Sequence, residues 1–166
     1  MKAHVAYLKY VLRHKWYVFL ACKQMGVPFW QAILHDWTKF TCREWMPYVH
    51  QFYNPDGTKR GMVRDASGAY DPSAQPAPFQ LAWLSHQRNK HHWQAWVVIG
   101  DGGSLSPLPI PKRYVIEMVA DWKGAGMAIL GQDDVFPWYT ANRDKMLLHP
   151  DTRAMVEMAI SNIWRE

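Results

Sequence analysis

Residues 32–39 of the chain are Ala32-Ile33-Leu34-His35-Asp36-Trp37-Thr38-Lys39, an apolar stretch that ends in a His–Asp pair. Another histidine, His14, lies one predicted helix upstream, and Asp121 lies far downstream in a second apolar segment. Each of these ionisable groups falls where a helix should turn its apolar face inward, and such groups are rarely buried without a partner. A divalent metal ion would be a shared partner for all of them, because histidine and carboxylate ligands suit such an ion.

Helical spacing of apolar residues predicts an all-α protein. Tyr7, Val11 and Val18 begin the pattern, and Gly or Pro residues separate its segments. Thr41 and Glu44 have the capping-box spacing, with Thr41 as N-cap. We find no convincing alternating strand and no internal repeat. The prediction is a single-domain bundle over residues 1–166 with about six helices, at 4–25, 28–39, 41–52, 79–98, 111–130 and 151–164.

Glycines and prolines also predict two local features. Residues 54–78 are rich in Gly, Pro, Asp and Ser, which indicates either a mobile loop or a lid over the site. Lys59, Arg60 and Arg64 in this segment are candidates to meet an anionic ligand. Gly124 and Gly126 lie inside the fifth predicted helix, where they indicate the close approach of another helix.

Composition narrows the class of protein. The chain has 166 residues, a formal net charge of +5 and ten tryptophans, which suits one globular domain with a preference for anionic ligands. The basic residues are scattered and form no nucleic-acid-binding tail.

Cys22 and Cys42 lack metal-finger or redox spacing, which indicates free thiols in a reducing compartment. Because no stretch of 18 uncharged apolar residues exists, we expect a cytoplasmic protein with no membrane span, signal peptide or membrane partner. The oligomeric state is left open.

A second group of histidines lies at His86, His91 and His92, within seven residues of one another. On a continuous helix His86 and His92 would lie on or beside one face, and His91 would point elsewhere. His86 and His92 are therefore candidates for a second metal site or a phosphate site, with His91 as a further candidate. The alternative is a basic, partly exposed helix face.

The order of these residues resembles the HD-domain superfamily of metal-dependent phosphohydrolases. That family has a His, then a His-Asp pair often followed by a Lys three residues on, then an Asp on a later helix. The resemblance implies an HD-like bundle in which His14, His35, Asp36 and Asp121 bind one divalent ion, rather than two, of Mn, Mg, Co, Ni or Fe. Some members add two histidines between the His-Asp pair and the last Asp. The spacing of His86 and His92 is shorter than that arrangement.

Much of the chain is also similar to a group of short uncharacterised proteins from bacterial and phage genomes. The phrases that carry this likeness lie at 35–40, 89–93 and 117–122. It implies no assigned reaction, so it supports the extent of the domain rather than its function.

Three functions follow as hypotheses. The first is a phosphohydrolase acting on a nucleotide or small phosphate ester through metal-activated water. Lys39 would balance phosphate charge and Glu117 would act either as a general base or as a partner of a metal ligand, while Arg88, Asn89 and Lys90 would bind substrate. The second is an HD-type two-iron oxygenase or oxidase of a small organic substrate. The third is a non-catalytic bacterial or phage accessory binding protein with a structural metal.

Overall fold

Seven α-helices form most of the described chain, which comprises residues 1–61 and 75–164 of this computed structural model. Three short 3₁₀ helices join them, at Trp37–Phe40, Trp93–Trp96 and Arg143–Lys145. The all-α prediction is confirmed. The α-helices are α1 (Lys2–Gln24), α2 (Phe29–Leu34), α3 (Cys42–Phe52), α4 (Ala77–Gln87), α5 (Lys112–Ile129), α6 (Val135–Asn142) and α7 (Pro150–Trp164).

A small antiparallel hairpin interrupts the helices, which the sequence analysis did not predict. Its strands are β1 (Val97–Ile99) and β2 (Leu105–Pro107), with Val98 opposite Ser106. The predicted helix over 79–98 was wrong beyond Gln87, where α4 ends. The three β-branched residues of β1 favour a strand. Gly103 then adopts a positive φ of 80° in the turn, which glycine tolerates without a steric penalty.

Two other helix predictions need correction. The helix predicted over 28–39 ends at Leu34, so His35 and Asp36 lie between α2 and the following 3₁₀ helix. No helix was predicted between 130 and 151, but α6 lies there and runs through Pro137. Pro137 lies in the first turn of α6, where a missing backbone N–H breaks no helical hydrogen bond.

The core is built around the contact between α1 and α5. The buried face of α1 carries Tyr7, Val11 and Val18, all fully buried. A Cβ atom built on Gly124 of α5 would lie 2.7 Å from the Cα atom of Val18. The predicted close approach at Gly124 is therefore confirmed, and the two backbones touch there. At Gly126 the neighbour is instead the side chain of Asp134, which precedes α6.

The segment predicted as a mobile loop or lid, 54–78, lies only partly within the described residues. Its first residues form a tight turn in which the Asn54 N–H donates to Thr58 O at 2.9 Å, and Tyr53 forms an isolated bridge with Lys59. Residues 62–74, which include Arg64, lie outside the described residues. Among the helices described, none combines the length and the hydropathy needed to cross a membrane.

We predict that Gly124→Ala lowers the free energy of unfolding by about 1–3 kcal/mol, because the added methyl group would overlap the Val18 backbone. In an ordinary helix the same change stabilises by about 1 kcal/mol, so the sign of the effect is diagnostic. Chemical denaturation of both proteins measures it.

Gly102→Ala is the control, since a Cβ there has no heavy atom within 4 Å; its effect should stay within about 0.5 kcal/mol. A stabilising Gly124→Ala would contradict the proposed helix contact.

Candidate metal centre

The His35–Asp36 pair lies at a break in the helical backbone. Asp36 has a φ of 54°, in the left-handed region that aspartate tolerates better than most residues. Its carbonyl accepts a hydrogen bond from the Lys39 N–H at 3.1 Å, which starts the next 3₁₀ turn. On the α1 side, Lys15 Nζ donates to the carbonyls of His35 and of Ile33, the latter at 3.1 Å. This break allows two adjacent side chains to face one centre.

The four residues predicted as metal ligands converge in the structure. His14 Nε2 lies 3.2 Å from Asp36 Oδ2 and 3.3 Å from Asp121 Oδ1, and His35 Nε2 also lies 3.3 Å from Asp121 Oδ1. One ligand atom from each of the four residues falls within 4.8 Å of the others, and all four residues are buried. The group therefore joins α1, the α2 break and α5 at one point.

Glu117 orients the imidazole of His35. His35 Nδ1 donates to Glu117 Oε1 at 3.1 Å, and Gln31 donates to the other carboxylate oxygen. His35 Nε2 then points toward the two aspartates, 3.3 Å from Asp121 Oδ1 and 3.5 Å from Asp36 Oδ2, and makes no well-directed hydrogen bond within the described residues. A histidine held by a carboxylate through one nitrogen, with the other directed into a carboxylate cluster, is typical of a metal ligand. Both Glu117 oxygens are engaged, so the arrangement favours the positioning role over that of a general base.

The second histidine group lies beside the first. His91 Nε2 donates to Asp36 Oδ1 at 3.1 Å, and His86 Nε2 lies 3.1 Å from His92 Nε2. The prediction that His91 points elsewhere was wrong, because it assumed a helix that in fact ends at Gln87. His91 lies in the turn that follows, and its side chain contacts Asp36 on the side opposite His14.

Glu44 belongs to the buried cluster, although its spacing from Thr41 predicted a role in helix capping. Its Oε2 accepts from His86 Nδ1 at 3.0 Å, and the residue is fully buried. Thr41 does precede α3, but no side-chain capping bond forms, and its hydroxyl donates to Thr38 O instead. The available signal was spacing, since Glu44 falls one turn before buried Tyr48 and so on the inner face of α3.

The cluster buries more negative than positive charge. Its carboxylates are Asp36, Glu44, Glu117 and Asp121, and Lys39 is the buried ammonium group among the described residues. Burial alone would raise the pKa of Asp36, but the charges of Lys39 and His35 outweigh it and hold that pKa well below its usual value. For Asp121, burial is likewise outweighed by the charge of His35, and its pKa is also lowered. Ionised carboxylates in such excess favour a bound cation.

Histidine pKa values in the cluster move in opposite directions. Burial would lower the pKa of His35, but the charges of Asp36 and Asp121 raise it well above 6.5. For His92, burial comes first and the neighbouring histidines His91 and His86 add to it, so its pKa falls well below 6.5. Without metal, these shifts therefore favour the charged form of His35 and the neutral form of His92.

A cavity of about 260 Å³ opens onto the cluster. Lys39 lines it together with His14, Asp121 and the second-group histidines His86 and His92. The rest of the wall is aromatic and aliphatic, with two basic residues: Tyr7, Tyr10, Tyr48, Phe52, Tyr53, Trp83, Ala125, Ile129, Lys59 and Arg60.

The three predicted substrate-binding residues lie elsewhere. Arg88 and Lys90 are exposed, and Lys90 Nζ lies 5.8 Å from the centre of the Tyr114 ring. The Asn89 amide donates to Thr38 Oγ1 at 3.1 Å, which ties the histidine turn to the His35–Asp36 segment. None of the three lines the cavity, so their role in binding substrate stays a prediction.

Comparison with known proteins gives one match. A model described as a family of unknown function, DUF5662, covers residues 3–162. The chain belongs to this family. No curated protein and no solved structure matches it. The resemblance to the HD-domain superfamily stays a prediction, and the chemistry of this DUF5662 member has to be argued from its site.

The donor set fits a divalent ion. Two imidazoles and two carboxylates converge in a buried cluster with surplus negative charge, and His35 directs Nε2 toward both aspartates without a well-directed hydrogen bond in the described chain. Oxygen and imidazole ligands suit Mn, Fe, Co, Ni or Zn ions, and thiolates are not among them. His14, His35, Asp36 and Asp121 are the residues that would hold the ion.

We predict that Asp36→Ala abolishes metal binding, because the variant loses the carboxylate that contacts His14 and lies 3.5 Å from His35 Nε2. Elemental analysis of purified protein should fall from about one ion per chain to background. Asp36→Asn should lose the ion as well, and asparagine tolerates the left-handed backbone. Asp101→Ala, in the exposed hairpin turn, is the matched control. Unchanged metal content in both Asp36 variants would refute the assignment.

Proton release gives a second test. Because the pKa of His35 is raised, the metal-free protein holds a proton there that a metal ion must displace. Binding at neutral pH should release about one proton, and affinity should rise with pH until His35 is neutral without metal. Calorimetric titration in buffers of different ionisation enthalpy measures this release. His50→Gln, on the exposed side of α3, should release the same number; the absence of release in the parent would contradict the role of His35.

Proposed function

We propose that this protein hydrolyses a phosphate ester, a nucleotide or a small phosphorylated metabolite, in a metal-dependent reaction. The observation that carries the proposal is that His14 and Asp121, two of the four converging ligands, line the same cavity as buried Lys39. A divalent ion held by His14, His35, Asp36 and Asp121 would lower the pKa of a bound water and would polarise a phosphoryl oxygen.

Lys39 supplies a fixed positive charge at the inner end of the cavity. Burial would lower its pKa, but the carboxylate of Asp36, which it contacts, raises the value above that of an ordinary lysine. The ammonium group therefore stays charged at any physiological pH. A cation in a water-poor site stabilises the charge that builds on a transferred phosphoryl group.

His86 and His92 are placed to exchange protons with a ligand in the cavity. Their Nε2 atoms lie 3.1 Å apart, so one imidazole must donate and the other accept. Glu44 accepts from His86 Nδ1, and the lowered pKa of His92 keeps it neutral. Because Nε2 of each ring is engaged with the other ring and His86 Nδ1 with Glu44, His92 Nδ1 is the nitrogen of the pair that would accept a proton as a general base.

The outer part of the cavity suits a flat organic group. Aromatic side chains such as Tyr10, Tyr48 and Trp83 form much of its wall, and aromatic walls bind nucleobases and similar rings. Lys59 and Arg60 are exposed beside the same cavity, where they would meet further negative charge on the ligand. We place the reaction in the cytoplasm, because Cys22 and Cys42 are both free thiols.

The second candidate is the two-iron oxygenase or oxidase. It is favoured because each carboxylate oxygen of Asp36 contacts a different histidine. Its Oδ2 contacts His14, and its Oδ1 contacts His91. Asp36, His91 and His92 form a further group with metal-binding spacing. In this candidate, Asp36 and the histidines at its two oxygens would help to hold two ions. The third candidate, a purely structural metal, has less support, because the cavity gives a ligand access to the cluster.

We predict that the metal-loaded protein releases phosphate from a panel of nucleotides and phosphate esters, and that chelation abolishes the release. Mn²⁺ or another divalent ion should restore it. His35→Ala should be inactive but folded by circular dichroism. Lys39→Met should lower kcat at least about 100-fold, because a buried charge at the reacting group is lost.

Lys112→Met is the matched control, because this lysine is exposed at the start of α5 and lies outside the cavity wall; its kcat should be unchanged. No phosphate release from the whole panel, together with two irons per chain and oxygen consumption, would replace the proposal by the second candidate.

A further inference from the structure

The outer side of α1 carries an apolar stripe that no other part of the described chain covers. Its members recur every three or four residues, opposite the buried face that packs on α5. Trp16 is 58% exposed and Leu12 is 53% exposed. The stripe consists of Val5, Leu8, Leu12, Trp16 and Leu20.

The apolar surface continues from α1 onto α2. The Trp16 and Phe19 rings stack with centroids 6.2 Å apart, Phe19 meets Phe29 edge-to-face at 6.1 Å, and Phe29 meets Trp30 at 5.6 Å. Trp30 is 73% exposed, and Leu34 is exposed on the same short helix. We call this continuous surface of α1 and α2 the apolar band. Monomeric proteins rarely leave so much contiguous apolar surface in water.

The Lys and Arg side chains of residues 1–35 give this part of the chain only positive charge. Residues 1–35 contain five basic residues and no acidic residue, and the first acidic residue, Asp36, is buried in the metal centre. Lys2, Lys9, Arg13 and Lys23 are exposed. At 100° per residue, Lys2, Lys9 and Arg13 border one side of the α1 stripe and form its basic edge, and Lys23 lies in line with the stripe near the end of the helix.

One acidic side chain lies near the end of the band. Asp56 lines a shallow depression there with Lys2 and Lys9. Its carboxylate accepts from the N–H and hydroxyl of Thr58, so it belongs to the Asn54–Thr58 turn. It offsets one positive charge locally and leaves the rest of the edge basic.

We propose that the apolar band docks this protein on the surface of a bilayer that contains anionic lipids. Exposed Trp, Phe and Leu side chains on one face, bordered by Lys and Arg, are typical of helices that lie in the plane of a membrane interface. The apolar rings enter the boundary between headgroups and acyl chains, and the basic edge meets the negative headgroups. The proposal replaces the sequence-based expectation of no membrane partner, which rested on the lack of a spanning segment. It agrees with the finding that no described helix is suited to span a bilayer.

A second copy of the chain fits the band less well. Two-fold pairing through α1 would place the same basic edge against itself, with no acidic residue of 1–35 to compensate. Like charges across an interface oppose association. The charge of the region therefore selects an anionic partner surface.

The test is co-sedimentation of the full chain with two kinds of vesicle, phosphatidylcholine alone and phosphatidylcholine mixed with phosphatidylglycerol. We expect binding to the mixed vesicles, weakened by salt, and little binding to the neutral ones. Trp16→Glu with Trp30→Glu should abolish binding. Lys9→Glu with Lys23→Glu should weaken it about tenfold or more, since each basic residue near an anionic surface contributes about fivefold.

Leu81→Glu is the matched control, because Leu81 is 64% exposed on α4, away from the band; its binding should equal that of the parent. Circular dichroism and metal content verify that each variant is folded. The proposal is overturned if the parent protein binds neither kind of vesicle. This holds whether the parent is a monomer or forms a dimer that Trp30→Glu dissociates. It is also overturned if both double variants bind as tightly as the parent.

Discussion

The buried carboxylate of Asp36 is the group around which the site is organised. Its Oδ2 contacts His14 and Lys39, and its Oδ1 contacts His91. A fully buried carboxylate requires several compensating partners, because desolvation of an isolated charge costs several kcal/mol or more. Asp36 also adopts a left-handed backbone directly after His35, whose ψ of 129° ends α2, and this break lets the His35 side chain face inward. One side chain thus links the local break in the helix, the convergence of two histidine groups and the surplus charge that favours a cation.

The packing of α1 on α5 sets the distance between two of the other candidate ligands. His14 lies one turn before Val18 on α1, and Asp121 lies one turn before Gly124 on α5. Because Gly124 lacks a side chain, the two backbones touch at Val18. This contact brings His14 Nε2 to 3.3 Å from Asp121 Oδ1. Stability and ligand geometry therefore depend on the same helix contact, and a larger residue at that contact would act on both.

The sequence was sufficient to predict an all-α fold and the four residues that converge, because ionisable groups at apolar helical positions need a shared partner. It was insufficient for His91 and Glu44. The prediction for His91 used the periodicity of a continuous helix, whereas α4 ends at Gln87. The turn that follows is held by a long-range hydrogen bond from the Asn89 amide to Thr38 and by a local one from the Trp96 indole to the Lys90 carbonyl. Neither contact leaves a periodic signal in the sequence. Glu44 matched a capping pattern, and its burial against His86 depends on the packing of α3 on α4.

The most direct test of the account is the location of a bound ion. Crystals of the protein loaded with Mn²⁺ should give one dominant anomalous-scattering peak, within about 2.0–2.3 Å of nitrogen atoms of His14 and His35 and of oxygen atoms of Asp36 and Asp121. A peak bound by other residues of the chain, or no peak in protein that elemental analysis shows to contain the metal, would contradict the claim that these four side chains form the metal centre.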